Sequence, residues 1–443
     1  MKRFPQRPHW RQSVRLLSFL FALATARAQT STNAGTLPAR LSVADARRIA
    51  LERNWDLLAA KSDVDLATAQ RFVARELPNP TFSFSTTKIN SDGRPNHTAA
   101  GNGLWDRSYD TVAALNQLIE IGGKRRARLD STRAGLRGAG ARFADARRLL
   151  EAGVTQVYVA VLLADEKQRT LAESAASLRK EANIAAIRQR AGDISMADQS
   201  QIEIAADRLE LDAAAAATDA RNARLNLEVL LGERQPRGMF QPSDTLMALA
   251  GPRDDESNAP SADFNRPDIA AAEAARAKAE ADLRLQQAMR IPDPTFLVQY
   301  EHQPADQPNT VGIGVSFPLP LWNFNRGNIS AARASLAQAS TAVEKIRAQA
   351  VADTANARNV YATAVARWQR YRDELLPKSR QVRAAVAFAY EKGGASLLDL
   401  LSAERNDNDV RLANAQAAAD TANALATLRA ALNQTETISP QKP

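Results

Sequence analysis

Apolar positions recur with two different periods along this chain, and the change from one period to the other happens twice. From Leu41 to about Glu76 the pattern is helical, with Ser42 as N-cap. It stops before Pro78, because the residue ahead of a proline avoids the helical region. Phe82 and Phe84 then alternate with Ser83 and Ser85, which is strand periodicity over about 81–88. A polar, glycine-containing loop covers 89–107, and a second strand follows at about 109–118. Ile121-Gly122-Gly123-Lys124 turns the chain into a helix that continues to about Arg190. Ala191-Gly192-Asp193-Ile194-Ser195 is a tight turn, and a return helix runs from it to about Leu231.

The second half repeats this order. Pro292-Asp293-Pro294-Thr295-Phe296 matches Pro78-Asn79-Pro80-Thr81-Phe82. A helix from about Pro267 to Arg290 precedes it, and strands at about 295–302 and 310–317 follow it. In the last strand Val311, Ile313, Val315 and Phe317 face one side while Gly312, Gly314 and Ser316 face the other. A helix is predicted from about Asn325 to Glu391 with a break at Pro377, then a turn at Gly393-Gly394 and a last helix to about Asn433. A duplication of this size means two copies of one supersecondary unit. The chain divides into a first repeat at 41–232, a linker at 233–264 rich in Pro, Asp and Ser, a second repeat at 265–433, and polar tails at 29–40 and 434–443.

Such a chain is mostly α with a small β part. A helix of about 65 residues is about 100 Å long, too long for one globular core, so these helices pack side by side. Runs such as Ala213–Ala217 serve either close helix approach or helix propensity alone. Each strand has about 8 residues, near the roughly 9–11 that cross a tilted bilayer path, and alternates as a membrane barrel wall does. Four strands cannot close a barrel, and an open edge is not viable in lipid, so several chains would pool strands. Three chains would supply twelve. The alternative is a small soluble sheet capping a coiled coil.

The first 28 residues change the reading of the charge. Lys2, Arg3, Arg7, Arg11 and Arg15 precede a short apolar core from Leu16 to Ala24 and an Ala26-Arg27-Ala28 cleavage site, the pattern of a secretory signal with Gln29 as mature start. That leader carries six basic and no acidic residues, so the formal +9 falls to +3 without it, and basicity is no argument for nucleic-acid binding. Cysteine is absent, which excludes disulfides and thiolate metal sites. Outside the leader, His97 and His302 are the histidines, without ligand spacing, so no metal or cofactor site is expected. Gly122-Gly123-Lys124-Arg125 is not a phosphate-binding loop. The cluster Lys124, Arg125, Arg126 and Arg128 reads either as a membrane-boundary patch or as a solvated helix face, and Trp105, Tyr109 and Trp322 fall at strand ends as interfacial aromatics would. No nucleophile–base pair stands out, which makes an enzyme the least supported class.

The order helix, Pro-x-Pro, hairpin, long helix, Gly turn and return helix, all twice, resembles the TolC-like outer-membrane efflux channels over residues 41–433. The run from Val311 to Pro320 with Arg326-Gly327, and the run from Gln117 to Arg125, resemble the family's two barrel-to-helix junctions, the latter most like the CzcC-like heavy-metal efflux branch. The resemblance implies a homotrimer, with a 12-strand barrel in the outer-membrane lipid and an α-barrel tunnel across the periplasm. It also implies a periplasmic adaptor and an inner-membrane RND-type transporter as partners, and divalent heavy-metal cations as cargo, with drug or solvent export as the alternative. A soluble periplasmic coiled-coil scaffold is the alternative from another class.

The resemblance further locates the tunnel's constriction and adaptor-contact end at the two glycine turns, Gly192-Asp193 and Gly393-Gly394. Asp399 matches a position that lines the constriction, Asp198 is its counterpart in the first repeat, and Tyr390 matches a gate-region position. Ser402 and Ala395 stand where the family can carry a second carboxylate and an Arg. The plainer reading of both aspartates is that they are solvated or helix-capping residues.

Overall fold

A computed structural model describes residues 37–87, 110–251, 265–303 and 307–434. The leader, the first hairpin loop with His97, Trp105 and Tyr109, most of the second half of the linker and the last nine residues lie outside the described residues. From Ala39 onward the described chain forms one compact unit.

The elements follow in the order β1 (Arg40–Leu41), α1 (Val43–Arg53), α2 (Trp55–Val73), β2 (Thr81–Thr87), β3 (Asp110–Leu118), α3 (Lys124–Arg190) and α4 (Met196–Leu230). Then come β4 (Gln241–Pro242), α5 (Leu246–Ala250), α6 (Pro267–Ala288), β5 (Thr295–Gln303), β6 (Gln307–Ser316) and α7 (Arg326–Arg370). A π-helical turn (Tyr371–Leu375), α8 (Leu376–Glu391) and α9 (Leu397–Ala431) complete the chain.

The helix expected over 41–76 is two helices. Asn54 breaks it with an extended ψ of 129°, its side chain accepting from Leu57 N and donating 2.9 Å to Leu230 O. That second bond reaches a residue 176 positions away, so no local signal announced the break. The 67-residue α3 is about 100 Å long and packs antiparallel on α4, as α8 does on α9. At both turns a left-handed glycine closes the helix: Gly192 at φ 83° and Gly393 at φ 78°. Each supplies the positive φ that a β-carbon resists, and the next N–H bonds back to Arg188 O or Ala389 O.

The irregularity in the other long helix precedes Pro377. Leu376 N donates to Tyr371 O, one residue further back than an α-helix allows, and Pro377 is the second residue of α8. The proline ring has no N–H and crowds the carbonyl four residues earlier, and the widened turn relieves both problems. The two glycines that close the long hairpins, Gly192 and Gly393, stand 201 positions apart.

The helices pack through small side chains. Ala415, Ala417, Ala418, Ala419 and Ala422 of α9 are all buried. Ala357, Tyr361 and Ala364 meet Leu425, Leu428 and Leu432 in one cluster. In Ala213–Ala217, by contrast, only Ala216 is buried, so that run owes more to helix propensity than to contact within the chain. Near the turns, Leu178, Ala182, Ala185, Ile202 and Ala206 pack on Leu397 and Leu401, which joins the hairpins of the two repeats.

The linker takes part in the fold. β4 pairs in parallel with β1, Arg40 opposite Gln241. The buried Tyr158 hydroxyl lies 2.8 Å from Leu41 O and 2.9 Å from the Asp244 carboxylate, which also accepts from Val43 N at 2.8 Å. Burial and the nearby Asp244 charge push the Tyr158 hydroxyl well above its ordinary pKa. It stays a neutral donor tying α3 to both segments.

Candidate functional site

β2, β3, β5 and β6 form one antiparallel sheet in that order. Its registers pair Phe82 with Leu115, Leu115 with Val298, and Val298 with Ile313, so one face carries these side chains in a row. Phe82, Phe84, Val298, Val311, Ile313 and Val315 are all exposed, Ile313 at 87%. The opposite face carries Ser83, Ser85, Gly312 and Gly314. A contiguous apolar face of this kind is unfavourable in water and suits lipid. β2 and β6 are the open edges, which is not a viable end state in a bilayer. Among the described residues no helix is long and apolar enough to cross a membrane.

Below the sheet, charged side chains fix the passage from strand to helix. Lys124 is buried and its ammonium lies 2.7 Å from Asp293 of the Pro-Asp-Pro segment. The other Asp293 oxygen accepts from Ile121 N at 2.9 Å. Arg125 and Arg128 donate to Arg75 O and Ala74 O, carbonyls left unpaired at the end of α2, while Arg128 also forms a bidentate pair with Glu120. The basic cluster is therefore not simply a solvated face. It clamps helix ends, a role that depends on carbonyls about 50 residues away and leaves no sequence signal. In the second repeat Asn325, in the left-handed region at φ 57°, donates 2.7 Å to Gln286 O instead.

At the far end, Asp198 and Asp399 occupy equivalent places. Ser195 and Ser396 are N-caps whose hydroxyls accept from Asp198 N and Asp399 N. The hydroxyls in turn donate to the carboxylates, at 2.8 Å for Asp198 and 2.6 Å for Asp399. Asp399 also accepts from Ser396 N at 3.0 Å, completing a capping box. The side-chain and backbone bonds from Ser396 hold the Asp399 carboxyl below the usual carboxylate range. The Ser-x-x-Asp spacing was visible in the sequence, and capping is the role it serves within one chain. Asp399, Asp193, Gly192, Gly393 and Gly394 are exposed, whereas Tyr390 is half-buried against the Leu178–Leu401 cluster with Arg188 stacked 5.6 Å from its ring centre.

A cluster of acids lies nearby. Burial, then the charges of Glu391 and Glu404, raise the pKa of Glu181. Glu404 is also within 3.2 Å of Arg383. Among the described residues no three His or carboxylate side chains converge as a metal site. His302 lies in β5, with Nδ1 3.3 Å from Asn309 Oδ1.

The family model described as "Outer membrane efflux protein" matches residues 46–233 and 259–434. The chain is 27% identical to the cobalt-zinc-cadmium resistance protein CzcC of Cupriavidus metallidurans over 368 residues, 82% of this chain and 83% of that one. The fold is similar to a membrane protein from Pseudomonas aeruginosa, with a TM-score of 0.72 and 20% identity, covering 88% of this chain and 92% of that one. It is also similar to the outer membrane protein VceC of Vibrio cholerae, with a TM-score of 0.71 and 18% identity over 88% and 95% of the two chains.

Proposed function

Because the chain belongs to the outer membrane efflux protein family, we propose that it is the outer-membrane duct of a three-part export system whose cargo is divalent heavy-metal cations. The observation that carries the duct is the four-stranded sheet with an exposed apolar face and two open edges, standing on helices about 100 Å long. Three copies close a twelve-strand barrel in the lipid, and their helices continue it as a tunnel into the periplasm. Export is passive through this chain. Energy comes from an inner-membrane RND-type transporter, reached through a periplasmic adaptor that docks at the turns around Gly192-Asp193 and Gly393-Gly394.

Asp399 lines the tunnel's narrow end as a ring of three carboxylates, with Asp198 and Tyr390 beside it. Such a ring attracts cations and repels anions. The metal cargo is supported by the 27% identity to a cobalt-zinc-cadmium resistance protein. A resident metal site is not needed for this, since a duct that held its cargo tightly would not release it.

Deleting the gene should sensitise cells to cobalt, zinc or cadmium, with rescue by the intact gene. Sensitivity confined to dyes, solvents and antibiotics would replace the metal cargo with organic compounds. Recovery of the chain as a soluble monomer, without detergent, would overturn the duct itself.

A further inference from the structure

We infer that the seam between neighbouring copies repeats the chain's internal β3–β5 seam residue for residue, with Ser316 of one copy opposite Ser83 of the next. The inference rests on the reading that several copies close one barrel, and it names how their edges meet.

The register follows from the duplication. Thr81 and Thr295 end matching Pro-x-Pro-Thr segments. Within the hairpins Thr81 pairs with Asn116 and Thr295 pairs with Ser316, so Asn116 and Ser316 are counterparts. Counting from the same threonines, Ser83 and Leu297 are counterparts. The internal seam pairs Asn116 with Leu297, Leu115 with Val298, and Ala114 with Gln299. Translating each partner to its counterpart sets Ser316 opposite Ser83, Val315 opposite Phe84, and Gly314 opposite Ser85.

The direction of the side chains checks this register against slips of odd length. Paired residues of antiparallel strands point to the same face. Phe84 and Val315 both lie on the exposed apolar face, whereas Ser83, Ser85, Gly314 and Ser316 lie on the other. The derived seam therefore continues the apolar face unbroken from β6 into β2 of the next copy. A slip of one residue would set phenylalanine against serine or glycine and turn one strand's apolar side chains inward.

The two seams differ below the membrane. The internal seam is tied by Lys124 and Asp293. At the matching offsets the edges carry Phe324 and Asn79, both exposed, so the Lys124–Asp293 pair is not repeated there. Leu319, Leu321 and Trp322 are exposed along the same edge.

The absence of cysteine makes the seam directly testable. A disulfide bridges only Cα atoms within about 7 Å, which admits a directly opposed pair and rejects one displaced by two residues. The double variant Ser83→Cys/Ser316→Cys, oxidised in outer membranes, should shift to two and three times the chain mass on non-reducing gels and return to one chain with dithiothreitol. Asn116→Cys/Leu297→Cys should bridge within one chain, and Ser85→Cys/Ser316→Cys should link poorly. Co-expressed single variants Ser83→Cys and Ser316→Cys should give linked pairs, which keeps the test alive if the double variant assembles badly. Preferential linking of Ser85→Cys/Ser316→Cys, or no linking in a chain that keeps its trimeric native mass, would overturn the register and leave the duct standing. A native mass of one chain in detergent would overturn the duct and the seam together.

Discussion

The ammonium of Lys124 and the carboxylate of Asp293 meet 2.7 Å apart although 169 positions separate them, and both are largely shielded from water. One belongs to the turn that leaves the first hairpin, the other to the segment that enters the second. Their contact locks the two membrane entries of the chain side by side. Replacing Lys124 with Met leaves Asp293 with only the Ile121 amide as an identified partner. We expect a loss of about 2–3 kcal/mol, below the roughly 3–5 kcal/mol of a fully buried pair because Asp293 is not fully enclosed. The double variant Lys124→Met/Asp293→Asn should recover most of it. Urea unfolding of the detergent-solubilised protein would measure both, and equal losses in the single and double variants would contradict the pairing.

Tyr158→Phe deletes one buried hydroxyl shared between Leu41 O and Asp244. The expected cost is about 1–2 kcal/mol, since an acceptor loses its donor in a dry place. The loss should be local, with faster amide exchange in residues 40–46 and 241–250 and little change at the glycine turns.

The Asp399 carboxylate is stabilised in the folded state, so its contribution is fully present above the ordinary carboxylate pKa of about 3.9. It is lost as pH falls through the lowered folded value. Amide exchange at Leu400 and its neighbours should therefore quicken only in strong acid. Ser396→Ala removes the N-cap and should cost about 1 kcal/mol at neutral pH. In planar bilayers Asp399→Ala should lower the cation preference of the channel, whereas Ser396→Ala should leave the sign of that preference unchanged. An unaltered selectivity in Asp399→Ala would remove this residue from the conduction path.

Glu181 behaves in the opposite sense. Its folded pKa is raised by burial and by Glu391 and Glu404. The folded state therefore holds a proton more tightly than the unfolded one, and stability falls as pH rises from about 4.3 through the raised value. Glu181→Gln should raise Tm at pH 7.5 and change it little near pH 4. A Tm gain that is the same at both pH values would exclude this origin.

Much of the architecture was legible because it rests on local chemistry repeated twice. The Pro-x-Pro segments, the Phe82-Ser83-Phe84-Ser85 alternation and the glycines at 192 and 393 each signal the conformation of their own stretch of chain. Features built from distant contacts were not legible. The break at Asn54 depends on Leu230, the clamp by Arg125 and Arg128 depends on the end of α2, and the β1–β4 pair that ties the linker to the start of the first repeat is held by Tyr158. At the candidate site the reverse held. Ser195-x-x-Asp198 and Ser396-x-x-Asp399 announce caps in one dimension, whereas the pore role proposed for the carboxylates rests on the assembly and has no local signal.

The π-helical turn at Tyr371–Leu375 has a consequence at the far end of the helix. Opening one turn there takes up one more residue per revolution than regular α-helix does, which sets every later side chain of α8 back by about 100° around the axis relative to an unbroken α-helix. The hairpin tip that brings Leu397 and Leu401 against Leu178 and Ala182 is built on that shifted phase.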